Sequence, residues 1–274
     1  MQRIKIVRHV VILTIRQIFF GVRLAWSYSL KKKAPKRVYF ILCEHRTGSN
    51  LLISYLNSVP GVSSGYEILS RYQTFGLRRW WISRKMIFRH IRHSLNYRCQ
   101  EVRGAKIFFV HLQELGLSLD DLLKEFPEAR WFVLYRKNIL AQYLSYKIAN
   151  GSQRWTRHKN SPPAGNVHIK FDPCEAVKYR DRMKSCYRAA GENPLLRERS
   201  LWISYEDLVK DPQAFFDEKV FPFLKLLRHR IHTNLVKQNL KSPSEVICNY
   251  DEVREMIEQT DFTQSYEPGI YSEV

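Results

Sequence analysis

RVYFILCEHRTGSNLL, residues 37–52, sets an apolar run against a helical one with a short polar turn between them. Residues 37–43 read as a buried strand, and SNLLISYLNSV (49–59) has the apolar spacing of a helix leaving the turn. Strand, small-residue turn, helix is the layout of a phosphate cradle, because N–H groups at a helix N-terminus favour negative charge. It is not a Walker A loop, which needs G-x-x-x-x-G-K-[ST]. One glycine, Gly48, is present, and Arg46 stands before it where a Walker lysine would follow. The stretch therefore points to a phosphate-like ligand, with a nucleoside triphosphate not the first choice.

Working outward, PGVSSGYE (60–67) reads as a loop from its Pro, Gly and Ser content, and residues 77–98 carry helical spacing among arginines. AKIFFVHL (105–112) reads as a second buried strand, LSLDDLLKEFP as a short helix ended by Pro127, and RWFVLYR (130–136) as a third strand. Asn138 suits the N-cap of ILAQYLSYKIA. Residues 151–170 form a long loop with a short edge strand in NVHIKF, followed by a helix over 173–190. LWISY (201–205) is a further strand, with a helix after Asp211-Pro212. Short apolar strands alternating with helices predict a parallel sheet covered on both faces. The expectation is an N-terminal segment (1–36) followed by one α/β domain (37–274).

The chain of 274 residues carries a net charge of +19, unevenly placed. Residues 1–40 hold ten Lys/Arg and no acid, and residues 71–103 hold nine against the single Glu101. The remainder is close to neutral, so basicity belongs to two patches. Such patches suit anionic membrane, anionic glycan or nucleic acid. The five cysteines are odd in number and lack a C-x-x-C, so neither a zinc knuckle nor a disulfide framework is suggested. His90/His93 and His229/His232 have i, i+3 spacing but sit among arginines that repel a cation.

Arg16 and Arg23 interrupt the apolar N-terminus, leaving no run near the ~20 residues a spanning helix needs. On a helical wheel Lys5, Arg8, His9, Arg16 and Arg23 fall in one narrow arc, with Val11, Ile15, Ile18 and Leu24 outside it. This predicts an amphipathic helix lying in an anionic membrane interface. Packing on its own domain and a single-pass anchor are the alternatives. The expected location is cytoplasmic or membrane-associated.

In order along residues 37–255, five pieces resemble the PAPS-dependent sulfotransferases, most closely the bacterial-type carbohydrate and lipid sulfotransferases. RTGSNLL resembles the family's 5′-phosphosulfate loop. GYE is similar to the segment that presents an acidic residue to the acceptor, and GAKIFFVHL to the next core strand. LYRKNILAQYLSY resembles the 3′-phosphate site, an Arg ending a strand with a Ser nine residues later. ISYEDLVKDP and VKQNLKSPSEVICNYDEV resemble the closing strand, helix and tail. Arg46 replaces the lysine of many members, and Asn50 sits where a hydroxyl residue is common.

The resemblance implies a P-loop-like α/β fold and transfer of a sulfuryl group from 3′-phosphoadenosine 5′-phosphosulfate (PAPS) to a carbohydrate, glycolipid or other hydroxyl acceptor. It implies two anion sites and no metal. The first consists of Arg46, the backbone amides of Thr47, Gly48, Ser49 and Asn50, and the Ser49 hydroxyl. The second is Arg136 with Ser145; Gln142 lies one turn before Ser145, and Lys237 is placed to close over the phosphosulfate. Glu67 is the expected base, with His111 its rival, and Arg46 and Lys106 the groups that stabilise the leaving oxygen. Residues 1–33 and 78–103 are the expected membrane contacts, and nucleic acid is the less favoured partner. A nucleotide-dependent kinase and a non-catalytic membrane- or nucleic-acid-binding module are the alternatives.

Overall fold

The structure is a computed structural model describing residues 14–15, 18–19, 22, 35–70, 74, 82–96, 100–161, 168–236, 242–259, 262 and 265–268. Five strands, β1 (Arg37–Cys43), β2 (Val62–Glu67), β3 (Val102–Phe108), β4 (Arg130–Tyr135) and β5 (Ser200–Ser204), form a parallel sheet in the order β2-β3-β1-β4-β5. Its flanking helices are α1 (Ser49–Asn57), α2 (Arg84–Asn96), α3 (Phe109–Leu115), α4 (Leu119–Glu125), α5 (Ile139–Ser152), α6 (Pro173–Glu192), α7 (Tyr205–Lys210) and α8 (Tyr250–Gln259), with single helical turns between α6 and β5 and after α7. The strand order reverses at β1, and open α/β sheets bind ligands beyond the C-terminal strand ends at such a point. The turn of residues 44–48 leaves from that end.

The chain divides into two compact units, residues 1–42 with 60–131 and residues 43–59 with 132–274. In the first, Phe40 packs on Phe126 and Trp131 with ring centroids 5.1 and 4.8 Å away. Gly104 lies under the Tyr39 ring, where a β-carbon would come within 2.0 Å. Two basic residues of α2 are engaged with α4, Arg84 with Asp121 and Arg92 with Glu125. In the second unit the Tyr187 hydroxyl donates to the Leu134 carbonyl (2.8 Å) and accepts from the Glu44 amide (3.3 Å), fastening α6 to two strand ends. Side-chain caps start its helices: Asn138 for α5, Asp172 for α6 and Ser204 for α7.

Four expectations change. VSSGYE is an edge strand, not a loop, pairing with β3 in the register Val62↔Val102 through Glu67↔Lys106. Backbone pairing with β3 supplies what its small residues lack in intrinsic strand preference. The second strand runs over 102–108, so Lys106 lies inside it, and the chain turns into α3 at Phe109, placing His111 on a helix. The helix expected over 77–98 is described for 84–96. After Asp211 the chain takes a helical turn, a π-helical segment (Phe216–Val220) and a further turn (Phe221–Leu224) instead of one continuous helix. Trp80, Trp81, Lys237 and most of residues 1–33 lie outside the described residues. Among the described residues no helix is long and apolar enough to cross a membrane.

Candidate active site

Between β1 and α1 the turn is held by its own carbonyl oxygens. Thr47 Oγ1 donates to the Glu44 carbonyl (2.9 Å), Gln142 Nε2 to the His45 carbonyl (2.8 Å), and Arg136 Nη1 to the Arg46 carbonyl (3.4 Å). Three consecutive carbonyls are thereby drawn into the protein by side-chain donors. Arg46 (φ 66°) and Gly48 (φ 86°) adopt left-handed backbone angles on either side of Thr47, the alternation that makes an anion-binding nest. Gly48 is the N-cap of α1, no side chain caps this end, and no acid lies in the first turn. The exposed partial charge at this helix terminus is therefore positive.

Two guanidinium groups converge beside the turn. Arg46 Nε donates to Ser145 Oγ at 2.9 Å, and its Nη1 donates to the Trp155 carbonyl. Arg136, at the end of β4, lies over the Tyr205 ring at 4.7 Å, with Nε 3.7 Å from a Glu206 oxygen. Burial, and after it the Arg136 charge, pushes the Arg46 guanidinium down to about 10, and burial also pushes Arg136 down. Both stay charged at neutral pH. The Arg136 Nε is buried with no hydrogen-bond partner among the described residues. Two like charges withdrawn from water, one with an unused donor, fit the oxygens of an anion.

The sequence-predicted residues thus fall into three groups. Arg46, Thr47, Gly48, Ser49, Asn50, Arg136, Gln142 and Ser145 come together in one compact unit. Arg46 reaches Ser145 directly, so the residues expected of the two anion sites are contiguous instead of standing apart. In the other unit, Glu67 and Lys106 are register partners on β2 and β3 and form an ion pair of 3.0 Å. A bulge between Gly65 and Glu67 produces that register, and bulges commonly re-aim a side chain in this way. The Lys106 side chain is only 2% exposed and its ammonium also lies 4.8 Å from the Phe108 ring centre. His111 is buried on α3 with its ring 5.1 Å from Phe108. Among the described residues no three His, Cys, Asp or Glu side chains are grouped to hold a metal ion.

Several contributors have no local sequence signal. Glu206 accepts from the Lys137 amide (2.9 Å) and the Asn138 amide (3.2 Å), clamping the turn from β4 into α5. Glu44, whose side chain is 1% exposed, lies 3.5 Å from His45 Nδ1 and 3.7 Å from Arg182 Nη1. Tyr205 fills the space over Gly48 and carries Arg136 on its ring. ISYEDL singles out this region, but nothing in it says that the Tyr ring meets a glycine some 150 residues earlier.

A family model described as the sulfotransferase family matches residues 39–226. The chain belongs to the sulfotransferase family. Among solved structures it is similar to a sulfotransferase from Alicyclobacillus acidocaldarius, with a TM-score of 0.51 and 13% identity over 82% of this chain and 92% of that one. Sulfotransferase STF1 from Mycobacterium tuberculosis H37Rv matches with a TM-score of 0.44 and 13% identity, over 77% of this chain and 73% of that one. No curated protein matches. At this identity the Alicyclobacillus likeness speaks for the fold alone.

Gly48 offers a direct test of the turn. A β-carbon there would sit 2.5 Å from Tyr205 Cδ2, on a backbone that disfavours side chains. Gly48→Ala should cost about 1–2 kcal/mol for the left-handed backbone and about 1–3 kcal/mol for overpacking. Adding Tyr205→Ala should remove the second loss and leave the first, as read by urea denaturation of the single and double variants. A Gly48→Ala protein as stable as the native one would contradict this geometry.

Proposed function

We propose that this sulfotransferase takes the sulfuryl group from PAPS and delivers it to a hydroxyl of a carbohydrate, glycolipid or other small acceptor. The observation that carries the reading is the pair of arginines beside an uncapped helix N-terminus, Arg46 donating to Ser145 Oγ and Arg136 to the Arg46 carbonyl. PAPS has a 5′-phosphosulfate, which supplies both the reactive sulfur and the leaving phosphate, and a 3′-phosphate, which is bound but does not react. The first-turn amides from Thr47 to Asn50 and the Ser49 hydroxyl would hold the 5′ end. Arg136 and Ser145 would hold the 3′-phosphate, and Arg46 would neutralise the leaving oxygen while touching both sites. Gln142 acts by positioning, since its amide holds the His45 carbonyl. Lys237 would close over the phosphosulfate.

Glu67 is the proposed base. It would take the acceptor's proton as the acceptor oxygen bonds to sulfur and the bond from sulfur to the bridging phosphate oxygen breaks. Adenosine 3′,5′-bisphosphate leaves. Lys106, with its ammonium on the Glu67 carboxylate, fixes the direction of that carboxylate and adds positive charge for the leaving oxygen. The sulfotransferase family match favours this chemistry over the kinase reading.

The N-terminal segment supports a membrane-surface location. Ile15, Ile18, Phe19 and Val22, at i, i+3, i+4 and i+7, are helical and 47%, 60%, 62% and 60% exposed. Such a face, with the cationic stripe beside it, suits an anionic interface.

Four outcomes are expected. Arg136→Ala should weaken PAPS binding about 10- to 150-fold, the loss of a charge-assisted contact, and leave adenosine 5′-phosphosulfate unaffected. Arg46→Ala should weaken both ligands. Equal losses of the two ligands on Arg136→Ala would displace Arg136 from the 3′ site. Glu67→Gln should abolish most turnover with PAPS affinity kept within a few-fold; a near-normal rate would move His111 to the front. Vesicles containing anionic lipid should bind the full chain and neutral vesicles should not, with binding falling as salt shortens the Debye length from about 10 Å at 0.1 M to about 3 Å at 1 M. Retention on membranes through both carbonate and high-salt washing would mean a spanning anchor instead.

A further inference from the structure

Beyond the two basic stretches visible along the chain, the fold gathers a third. Residues 153–161 and 225–236 contain Arg154, Arg157, Lys159, Lys225, Arg228 and Arg230 and not one Asp or Glu. They are about 70 residues apart in sequence, so no local window shows their sum. In the structure they are zipped together. His158 and Leu235 form an antiparallel bridge, the Lys159 amide donates to the Asn234 carbonyl (2.9 Å), and the Val236 amide donates to the Arg157 carbonyl (3.0 Å). Along the second segment Arg228, Arg230 and His232 are exposed, whereas His229, Ile231 and Thr233 are half-buried. That alternation leaves three basic side chains exposed in succession. The nearby Asp217 is engaged with Gln213, whose side chain also holds the His229 carbonyl and the Ile231 amide.

This ribbon is fastened to both flanks of the 44–48 turn. Arg46 Nη1 donates to the Trp155 carbonyl on one side. On the other, Thr233 Oγ1 meets Ser54 Oγ at 2.7 Å and the His232 amide donates to Ser58 Oγ at 3.1 Å, the first on α1 and the second just past its end. Trp155 is 37% exposed, with its ring 5.8 Å from His45 and 6.2 Å from Tyr146. Arg157 Nε is buried and has no hydrogen-bond partner among the described residues.

We infer that the ribbon of residues 153–161 and 225–236 binds an anionic carbohydrate and presents it as the acceptor, a statement that rests on the sulfuryl-transfer reading. The cations pair with carboxylate or sulfate groups, the exposed Trp155 face suits a sugar ring, and a sugar brings the hydroxyls the reaction needs. A membrane surface fits less well, since Leu227 is the ribbon's one large aliphatic side chain that is highly exposed, at 81%. A single-stranded nucleic acid would want several stacking rings, and Trp155 is the only Phe, Tyr or Trp in the two segments.

The test titrates full-length protein with a heparin-derived hexasaccharide, with neutral maltohexaose, with phosphatidylcholine–phosphatidylserine vesicles and, separately, with adenosine 3′,5′-bisphosphate. Arg228→Gln/Arg230→Gln and Arg154→Gln/Lys159→Gln should each lower hexasaccharide affinity at least about tenfold and flatten its salt dependence. Adenosine 3′,5′-bisphosphate affinity should stay within about twofold, as the phosphate-site side chains are intact. Lys85→Gln/Arg89→Gln, which removes the same charge from α2, should leave hexasaccharide binding nearly unchanged. Equal losses in all three variants would mean unspecific attraction to a basic protein and would overturn the proposal. So would ribbon variants that lose vesicle binding and keep the hexasaccharide. Should the native protein bind the hexasaccharide through the ribbon yet ignore adenosine 3′,5′-bisphosphate, the transfer reading fails while the glycan surface stands.

Discussion

Three side-chain hydrogen bonds to three consecutive carbonyls shape this protein's chemistry. Thr47, Gln142 and Arg136 draw in the oxygens of Glu44, His45 and Arg46. A backbone whose carbonyls are committed inward offers its amides elsewhere, and here they crown an uncapped helix. Each bond alone is worth about 1 kcal/mol net. Their shared effect is geometric, because together they fix the left-handed angles at Arg46 and Gly48 that an apolar strand-to-helix connection would not otherwise adopt.

The same arrangement concentrates positive charge at a cost. Arg46 and Arg136 are both largely withdrawn from water, which pushes both below the ordinary arginine range, and the Arg136 charge pushes Arg46 further down. Tyr205 and Glu206 offset part of that cost, the first through its ring face and the second through its carboxylate. A ligand with several anionic oxygens would offset more. Glu206 also holds the Lys137 and Asn138 amides, so the loop that presents Arg136 is stiffened by the carboxylate that screens it.

Much of this was legible in the sequence, and the rest was hidden for physical reasons. The strand-turn-helix of residues 37–57 reads directly, because a continuous apolar run and one of period 3.6 are joined by a short polar turn that ends at Gly48. Asn138 announces α5 as a side-chain acceptor should. VSSGYE conceals a strand because edge pairing comes from the neighbouring backbone, not from its own side chains. The meeting of Arg46 with Ser145 depends on a positive φ that no propensity assigns to arginine. The Glu67–Lys106 pair depends on a bulge at Tyr66, and bulges have no reliable local signature. Tyr205, Glu206 and the ribbon are long-range features, in which residues of unremarkable local context acquire meaning from what the fold sets beside them.

If the turn and its two arginines are the site, the charge needed to hold two phosphates is already present in the chain. Isothermal titration with adenosine 3′,5′-bisphosphate, run once with magnesium and once with a chelator, tests that claim most directly. The account predicts saturable one-to-one binding of equal affinity in both, abolished when Arg46 and Arg136 are replaced together by alanine. Binding that requires magnesium, or that survives loss of both arginines, would contradict it.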